Sequence, residues 1–188
     1  MTFEFKRTGL EGLIIIQPHM YLDDRGVYKK YYEKNIFTEN GITCSFTESS
    51  NIYSKKGALR GLHYQREDSQ AKLIQIISGA IFDVALDLRE NSETFGKYHT
   101  ELLKAEENKV IFIPEGFAHG FISLTDDTVF SYQCSGSYVP SACGGILWND
   151  KELNIPWPLE EYGIERVIAT EKDMNWPTLA KYKLSLKE

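Results

Sequence analysis

The chain has 188 residues, of which 42% are hydrophobic and 26% are charged. These are ordinary globular values, which exclude a disordered chain and suit one domain over residues 1–188. The formal net charge of -6 argues against a nucleic-acid-binding protein, which would carry a basic face. It still allows a small anionic ligand, because a few arginines and lysines can bind a phosphate locally.

The three cysteines, Cys44, Cys134 and Cys143, have neither the number nor the spacing of a disulfide framework. The first residues lack the charged and apolar regions of a signal peptide. No apolar run approaches the length of about 20 residues that a membrane span needs. We therefore expect a cytoplasmic protein with reduced thiols and no membrane contact.

In chain order, the first elements are short apolar runs separated by turn signals. We predict a strand at Gly12–Ile16, an extended segment at Val27–Tyr32, a helical turn or two between Glu33 and Asn40, and a strand at Ile42–Tyr53. Strands at Lys72–Ile77 and Ala80–Leu88 follow. Because only Ser78-Gly79 separates these two strands, we predict that they form a hairpin.

The second half continues in the same manner. We predict strands at Val110–Ile113, Phe121–Leu124 and Thr128–Cys134, and a short helix near Thr170. Many short strands with regular turn signals favour a β-barrel or β-sandwich over an α/β fold.

Two apolar, strand-like segments each contain a histidine. The segment Gly57–Gln65 carries Arg60 and His63, and the segment Ile113–Gly120 carries His119. Burying ionisable groups is unfavourable unless they are paired, so we expect both segments to face one pocket.

The positions of Arg60 and His63 conflict with strict strand alternation, which would place them on opposite faces. A bulge or kink at Gly61 would reconcile them, and we predict one there.

The same two segments have the spacing of the two cupin motifs, in which a small β-barrel projects ligands inward. A metal-binding cupin would carry a second histidine where this chain has Gln65, and glutamine is a poor ligand for a transition metal. His63 and His119 alone fall short of the three protein ligands of a catalytic zinc. We expect no metal and no cofactor.

Four longer runs resemble the signatures of the dTDP-4-dehydrorhamnose 3,5-epimerase family, and the similarity extends from about Arg25 to Asp173. These runs are Lys55–Gln65, Phe82–Arg89, Ile113–Phe121 and Trp148–Asp150. The resemblance implies a mainly all-β protein with a cupin, or jelly-roll, barrel and a few short helices. It further implies a homodimeric isomerase of deoxysugar biosynthesis. Such an enzyme inverts carbon 3, carbon 5 or both, beside the ketone of a nucleotide-linked 4-keto-6-deoxy sugar.

The resemblance also implies individual roles. His63 matches the catalytic base, Asp173 the carboxylate that orients it, Tyr132 the proton donor on the opposite face, and Lys72 the stabiliser of the enolate oxygen. The positions that match contacts to the diphosphate, the sugar or the nucleotide base are Arg25, Arg60, His119, Lys172 and Tyr138.

Two of these roles have structural alternatives. The run Thr170–Asp173 also has the form of a capping box, so Asp173 is either the partner of His63 or part of a helix start. Asp83 is the reserve partner of His63. Tyr132 could be ordinary barrel packing, and only the resemblance makes it the acid.

Several positions near the expected nucleotide and sugar depart from the family. The family usually has glutamate at Lys30, Gln-x-Asn at Glu48–Ser50, lysine at Gln133 and glutamate at Cys143. Cytosine presents an acceptor at N3 and a donor at N4, which a lysine and a glutamate could read. We therefore expect a nucleotide other than dTDP, with CDP the leading candidate, unless Lys30 and Glu48 are merely a cross-strand ion pair. The changes at Gln133 and Cys143 suggest inversion at a single carbon.

Three functions stay open at this point. The first is an epimerase, with either one or two carbons inverted and dTDP or another nucleotide recognised. The second is a cupin ketoisomerase. The third is a non-catalytic cupin that binds nucleotide sugars, against which the joint presence of His63, Lys72 and Tyr132 argues, since binding alone needs no opposed acid and base.

Overall fold

The computed structural model describes residues 3–187, and most of its regular structure is β-strand. Three short helices accompany the strands. The strands are β1 (Phe3–Arg7), β2 (Ile14–Pro18), β3 (Met20–Asp23), β4 (Gly26–Lys29), β5 (Phe46–Ser54), β6 (Leu59–Gln65), β7 (Lys72–Ser78), β8 (Ala80–Asp87), β9 (Tyr98–Lys104), β10 (Val110–Ile113), β11 (Phe117–Ser123), β12 (Thr128–Ser135) and β13 (Cys143–Gly145). The helices are α1 (Lys34–Glu39), α2 (Glu171–Met174) and α3 (Leu179–Ser185).

Eleven of these strands form two antiparallel sheets packed face to face, and β3 and β4 pair with each other as a separate two-stranded ribbon. One sheet has the order β1-β2-β10-β7-β12-β5 and the other the order β13-β6-β11-β8-β9. The apolar core between them joins Ile74 and Ile111 of the first sheet to Ile81 and Phe121 of the second. Apart from β1-β2 and β8-β9, neighbouring strands in the two sheets are far apart in sequence, which is the connectivity of a jelly roll. The predicted fold class is confirmed.

The predicted hairpin between β7 and β8 is wrong. β7 pairs with β10 and β12 in one sheet, whereas β8 pairs with β9 and β11 in the other. Gly79 has a φ of +75°, and a Cβ added there would lie 2.3 Å from Thr125 Oγ1. The Ser78-Gly79 turn is therefore a tightly enclosed corner at which the chain leaves one sheet for the other.

The predicted irregularity at Gly61 is confirmed. In the pairing of β6 with β11, His63 lies opposite His119 and Arg60 lies opposite Phe121, so β6 has one extra residue. Gly61 has a φ of +123°, and a Cβ there would lie 2.4 Å from the Cα of Gly120. The bulge depends on glycine.

The second histidine segment differs from its prediction in one respect. β11 begins at Phe117, so His119 lies inside the strand rather than before it.

The helices are short, with α3 the longest at seven residues. Within residues 3–187, no helix combines the length and apolar character needed to cross a membrane.

A buried carboxylate closes the end of β8. Asp87 is fully buried and accepts hydrogen bonds from the Arg89 guanidinium at 2.7 and 2.9 Å, and from the Ser92 and Thr94 hydroxyls at 2.6 Å each. Burial raises the pKa of Asp87, but these hydrogen bonds outweigh it and lower the pKa to about 2. The ionised carboxylate thus fixes the loop that follows β8.

We predict that Asp87→Asn lowers the free energy of unfolding at pH 7 by roughly 2 kcal/mol. The folded-state pKa lies below the ordinary value of 3.8, so this contribution is complete above pH 3.8 and disappears as the pH falls toward 2. Urea unfolding at pH 7 and pH 3 measures it, with exposed Asp24→Asn as the control. A loss of stability that is the same at both pH values would contradict the prediction.

Candidate active site

A cavity of about 470 Å³ opens between the two sheets, within the size range of small-molecule sites. Both histidine segments face it, as predicted. β6 and β11 supply one wall, while β7 and β12 supply the other. Of the site residues predicted from the sequence, those that line the cavity are Arg60, His63, Lys72, His119, Tyr132, Tyr138, Lys172 and Asp173.

His63 forms a hydrogen-bonded pair with Asp173. The His63 Nε2 atom contacts the Asp173 Oδ1 atom, and the Asp173 side chain is buried whereas 45% of the His63 side chain is exposed. Burial raises the pKa of Asp173, but hydrogen bonds from His63, Thr170 and Trp176 outweigh it and leave the pKa below its ordinary value. The carboxylate can therefore only accept, so Nε2 carries the proton and Nδ1 of a neutral ring keeps a free lone pair.

Both interpretations of Asp173 hold at once. Thr170 is the N-cap of α2 and accepts a hydrogen bond from the Asp173 backbone N–H at 3.1 Å. The Thr170 hydroxyl in turn donates to Asp173 Oδ2 at 2.9 Å. The helix start leaves Oδ1 directed at His63, so the cap orients the carboxylate.

Asp83, the reserve partner of His63, pairs with His119 instead. The Asp83 Oδ2 atom lies 2.7 Å from His119 Nε2, and Asp83 is fully buried. Since β8 and β11 are neighbours, Asp83 lies beside β11 and not beside β6. Only 11% of the His119 side chain is exposed, which places this second pair deeper than the first.

Lys72 and Tyr132 lie on the wall opposite His63. Burial lowers the pKa of the Lys72 ammonium, whose hydrogen-bond partner is the Gln70 carbonyl at 3.5 Å. Burial also raises the pKa of Tyr132, so the phenol keeps its proton at neutral pH. An anion entering the cavity would stabilise the charged form of Lys72.

Tyr138 lies at the rim of the cavity, 60% exposed, on a loop held by two side chains. Its backbone N–H donates to Glu48 at 2.9 Å. Gln65 accepts from the Val139 N–H at 2.9 Å and donates to two carbonyls, including that of Ser137 at 3.0 Å. The Gln65 amide therefore holds the backbone of this loop in place.

Within residues 3–187, no three His, Cys, Asp or Glu side chains are grouped so as to hold a metal ion.

Arg25 is not brought to the cavity of its own chain. It pairs with Asp23 at 2.7 Å, and its side chain is 91% exposed at the tip of the β3–β4 ribbon. Lys30 is likewise engaged elsewhere, since it pairs with Glu33 at 2.9 Å. Lys30 and Glu48 form no ion pair with each other within the described residues.

Sequence reasoning missed three residues that the cavity contains, namely Gln70, Thr170 as a partner of Asp173, and Trp176. The side-chain nitrogen of Gln70 is buried and has no hydrogen-bond partner among the described residues. Its position two residues before Lys72 was the available signal. For Trp176 the signal was a tryptophan three residues after Asp173.

The jelly roll, and a cavity with a paired histidine opposite a phenol, define the class as a cupin-like protein with a candidate acid–base site. The family model described as dTDP-4-dehydrorhamnose 3,5-epimerase matches residues 7–181. The dTDP-4-dehydrorhamnose 3,5-epimerase of Methanothermobacter thermautotrophicus is 45% identical over 177 residues, which cover 94% of this chain and 95% of that protein.

Solved structures agree with this class. The dTDP-6-deoxy-D-glucose-3,5-epimerase of Legionella pneumophila, in complex with dTDP-4-keto-L-rhamnose, has a TM-score of 0.92 at 36% identity, covering 98% of this chain and 96% of that one. A 3'-monoepimerase of Streptomyces bikiniensis, in complex with dTDP-quinovose, has a TM-score of 0.87 at 31% identity, covering 95% and 90%. This chain belongs to the dTDP-4-dehydrorhamnose 3,5-epimerase family.

Proposed function

We propose that this protein is an isomerase that inverts carbon 3, carbon 5 or both, beside the ketone of a nucleotide-linked 4-keto-6-deoxy sugar. The observation that supports it best is one cavity with a paired histidine on one wall and a protonated phenol on the other. A C–H bond next to a ketone is weakly acidic, so inversion needs a base on one face and a donor on the opposite face. The arrangement supplies both.

In this proposal His63 is the base. Its Nδ1 lone pair takes the proton from the carbon beside the ketone, and the positive charge that the ring acquires is stabilised by the Asp173 carboxylate on the Nε2 side. The electrons of the broken C–H bond move into the ketone and give an enolate. Lys72, on the opposite wall, is the proposed stabiliser of that oxygen, acting in a site where little water competes.

Tyr132 is the proposed donor. It returns a proton to the opposite face of the same carbon, which inverts the carbon, and the phenolate then regains a proton from solvent. Because burial keeps the phenol protonated, Tyr132 begins the step in the form that can donate. Protonated His63 releases its proton to solvent, which restores both side chains, and the transfers to and from carbon use side chains of the chain itself.

The remaining cavity residues are proposed to bind the substrate. Arg60, His119 and Lys172 line the cavity, and in this proposal they bind the diphosphate and the sugar, because charged nitrogen donors bind phosphate oxygens strongly. Tyr138, at the rim, is the proposed stacking partner of the nucleotide base.

We also propose a cytoplasmic homodimer whose chains each form one domain. The β3–β4 ribbon exposes large apolar or aromatic side chains together, a pattern that marks interaction surfaces. These residues are Met20, Tyr21, Leu22, Val27 and Tyr28. Arg25 lies at the tip of this ribbon, and in our proposal it reaches substrate only through a second copy of the chain. Sedimentation of wild type and Leu22→Asp tests the dimer.

We propose dTDP as the nucleotide, in place of the CDP expected from Lys30 and Glu48. The two solved relatives compared above hold dTDP sugars. The residues that motivated CDP are engaged with Glu33 and with the Tyr138 N–H, outside the cavity lining.

The dTDP form of one 4-keto-6-deoxy sugar should have a kcat/KM at least about tenfold above that of its CDP form, since a mismatched base edge leaves buried polar groups unpaired. Steady-state kinetics on both forms measure the ratio. Equal values, or a preference for CDP, would restore the base-recognition role of Lys30 and Glu48.

Proton NMR in deuterated water tests the reaction itself. An epimerase exchanges the hydrogens on the carbons beside the ketone for deuterium. A ketoisomerase also moves the ketone to another carbon, and a binding protein does neither. His63→Ala should lower the exchange rate by about 10²–10⁴, the usual contribution of a general base, while the far-UV circular dichroism stays unchanged. His19→Ala, at an exposed position, is the matched control. A fall of only a few-fold would remove His63 from the role of base.

Tyr132→Phe should separate the two halves of the reaction. Proton removal by His63 remains possible, but the enolate loses its donor on the opposite face, so deuterium exchange at the first carbon should outlast net inversion. The same NMR experiment reads both quantities, and exposed Tyr53→Phe is the control. Normal inversion by Tyr132→Phe would mean that Tyr132 only packs the cavity wall.

A further inference from the structure

The tryptophan that follows α2 contacts the base and its carboxylate partner. The Trp176 Nε1–H donates to Asp173 Oδ1 at 3.2 Å, the same oxygen that receives the hydrogen bond from His63. The Trp176 ring also meets the His63 ring edge-on, with centroids 6.1 Å apart and an interplanar angle of 73°. One carboxylate oxygen therefore has two donors, whose directions together fix its position.

The sequence makes specific room for this ring. Gly145 pairs with His63 across β13 and β6, and a Cβ added to Gly145 would lie 2.4 Å from Trp176 Cε2. The backbone beside the ring is anchored as well, because the Leu147 N–H donates to the Pro177 carbonyl at 2.9 Å. The indole therefore lies against β13 opposite His63, and it fits there because Gly145 has no side chain.

The other tryptophans show what an ordinary structural role looks like in this chain. Trp148 is buried in an apolar cluster, and its Nε1 has no partner among the described residues. Trp157 packs against apolar clusters and donates to the Trp148 carbonyl at 2.8 Å. Trp176 belongs to none of the apolar core clusters of residues 3–187 and lines the cavity. The Lys172 ammonium lies 4.9 Å from the centroid of its ring.

We propose that Trp176 is a positioning residue that holds the Asp173 carboxylate, and through it the His63 ring, in the orientation required for proton abstraction. The same ring holds Lys172 beside the cavity through a cation–π contact. This inference rests on the proposed epimerase activity, to which it adds a residue that acts through Asp173 and does not touch the reacting atoms.

The proposal has a chemical consequence for the pair. A hydrogen bond from Trp176 draws charge from Asp173 Oδ1, which makes the carboxylate a weaker partner for protonated His63. Loss of that donor should strengthen the carboxylate as a partner for the protonated ring and move the acid limb of kcat/KM to higher pH. Besides Asp173, the titratable or charged groups that line the cavity with His63 are Arg60, Tyr64, Lys72, His119, Tyr132, Tyr138, Cys143 and Lys172, and Trp176→Phe and Gly145→Ala substitute none of them.

Trp176→Phe is the first test, because it removes the N–H and keeps an aromatic ring. We expect kcat to fall by about tenfold, with a smaller change in KM, as for other partners that orient a catalytic group. The acid limb should move up by about half a pH unit. Trp148→Phe is the matched control and should change neither quantity. A wild-type kcat and acid limb in Trp176→Phe would overturn the proposal.

Gly145→Ala is the second test, because it displaces the indole without changing it. Gly9→Ala is its control, since a Cβ there meets no atom within 4 Å. Gly145→Ala should reproduce the loss in kcat seen with Trp176→Phe. If both act through the ring, the double variant should lose clearly less than the product of the two single losses. Independent, multiplicative losses would show that the indole does not mediate the effect of Gly145.

A third measurement needs no activity and therefore separates this proposal from the proposed function. The chain has three tryptophans and hence three indole N–H signals in a nitrogen–proton NMR spectrum, of which Trp176→Phe identifies one. That signal should shift in both His63→Ala and Asp173→Asn, because the three side chains meet at one carboxylate oxygen. A signal that is insensitive to both would overturn the positioning role even if the enzyme epimerises sugars. A signal that responds as expected supports the role even if no sugar is turned over.

Discussion

The carboxylate of Asp173 joins two parts of the chain that are 110 residues apart in sequence, the strand β6 and the helix α2. A buried carboxylate is stable only if donors replace the water it has lost. Here Thr170 supplies one donor from the cap of α2, Trp176 a second and His63 a third. The segment that contains α2 thus completes the cavity, because the buried Asp173 carboxylate pairs with His63 of β6.

The elements that sequence reasoning placed well are those defined by local chemistry. β10 was predicted with the bounds that it has, and α1 lies within the helical segment expected before Gly41. The bulge at Gly61 followed from the conflict between strict alternation and one pocket shared by Arg60 and His63, and glycine was the residue between them that could resolve it. In each case the decisive information lay within a few residues.

The failures share a physical cause, which is long-range pairing. A Ser-Gly turn has the same local conformation whether it closes a hairpin or carries the chain around a corner. The choice between the hairpin and the corner depends on whether β7 is stabilised more by pairing with β8 or by pairing with β10 and β12, as it does here. The strand β13 pairs with β6 but has only three residues, two of them glycine. Glycine has a low strand propensity, so the local sequence does not predict this strand. Arg25 shows the same limit at the site, since a match in sequence does not say whether the fold brings the residue to the cavity of its own chain.

Two histidine–aspartate pairs line one cavity. They differ in how deeply the histidine is buried and in how many hydrogen bonds the carboxylate accepts. Asp83 is fully buried and receives its hydrogen bond from His119, while its second oxygen has no partner among the described residues. Asp173 has donors on both oxygens, so it is held in place when the proton moves. His63 is also the more exposed ring, and its Nδ1 makes no hydrogen bond within residues 3–187. A base must be open on one side and oriented on the other, and of the two histidines His63 meets both requirements.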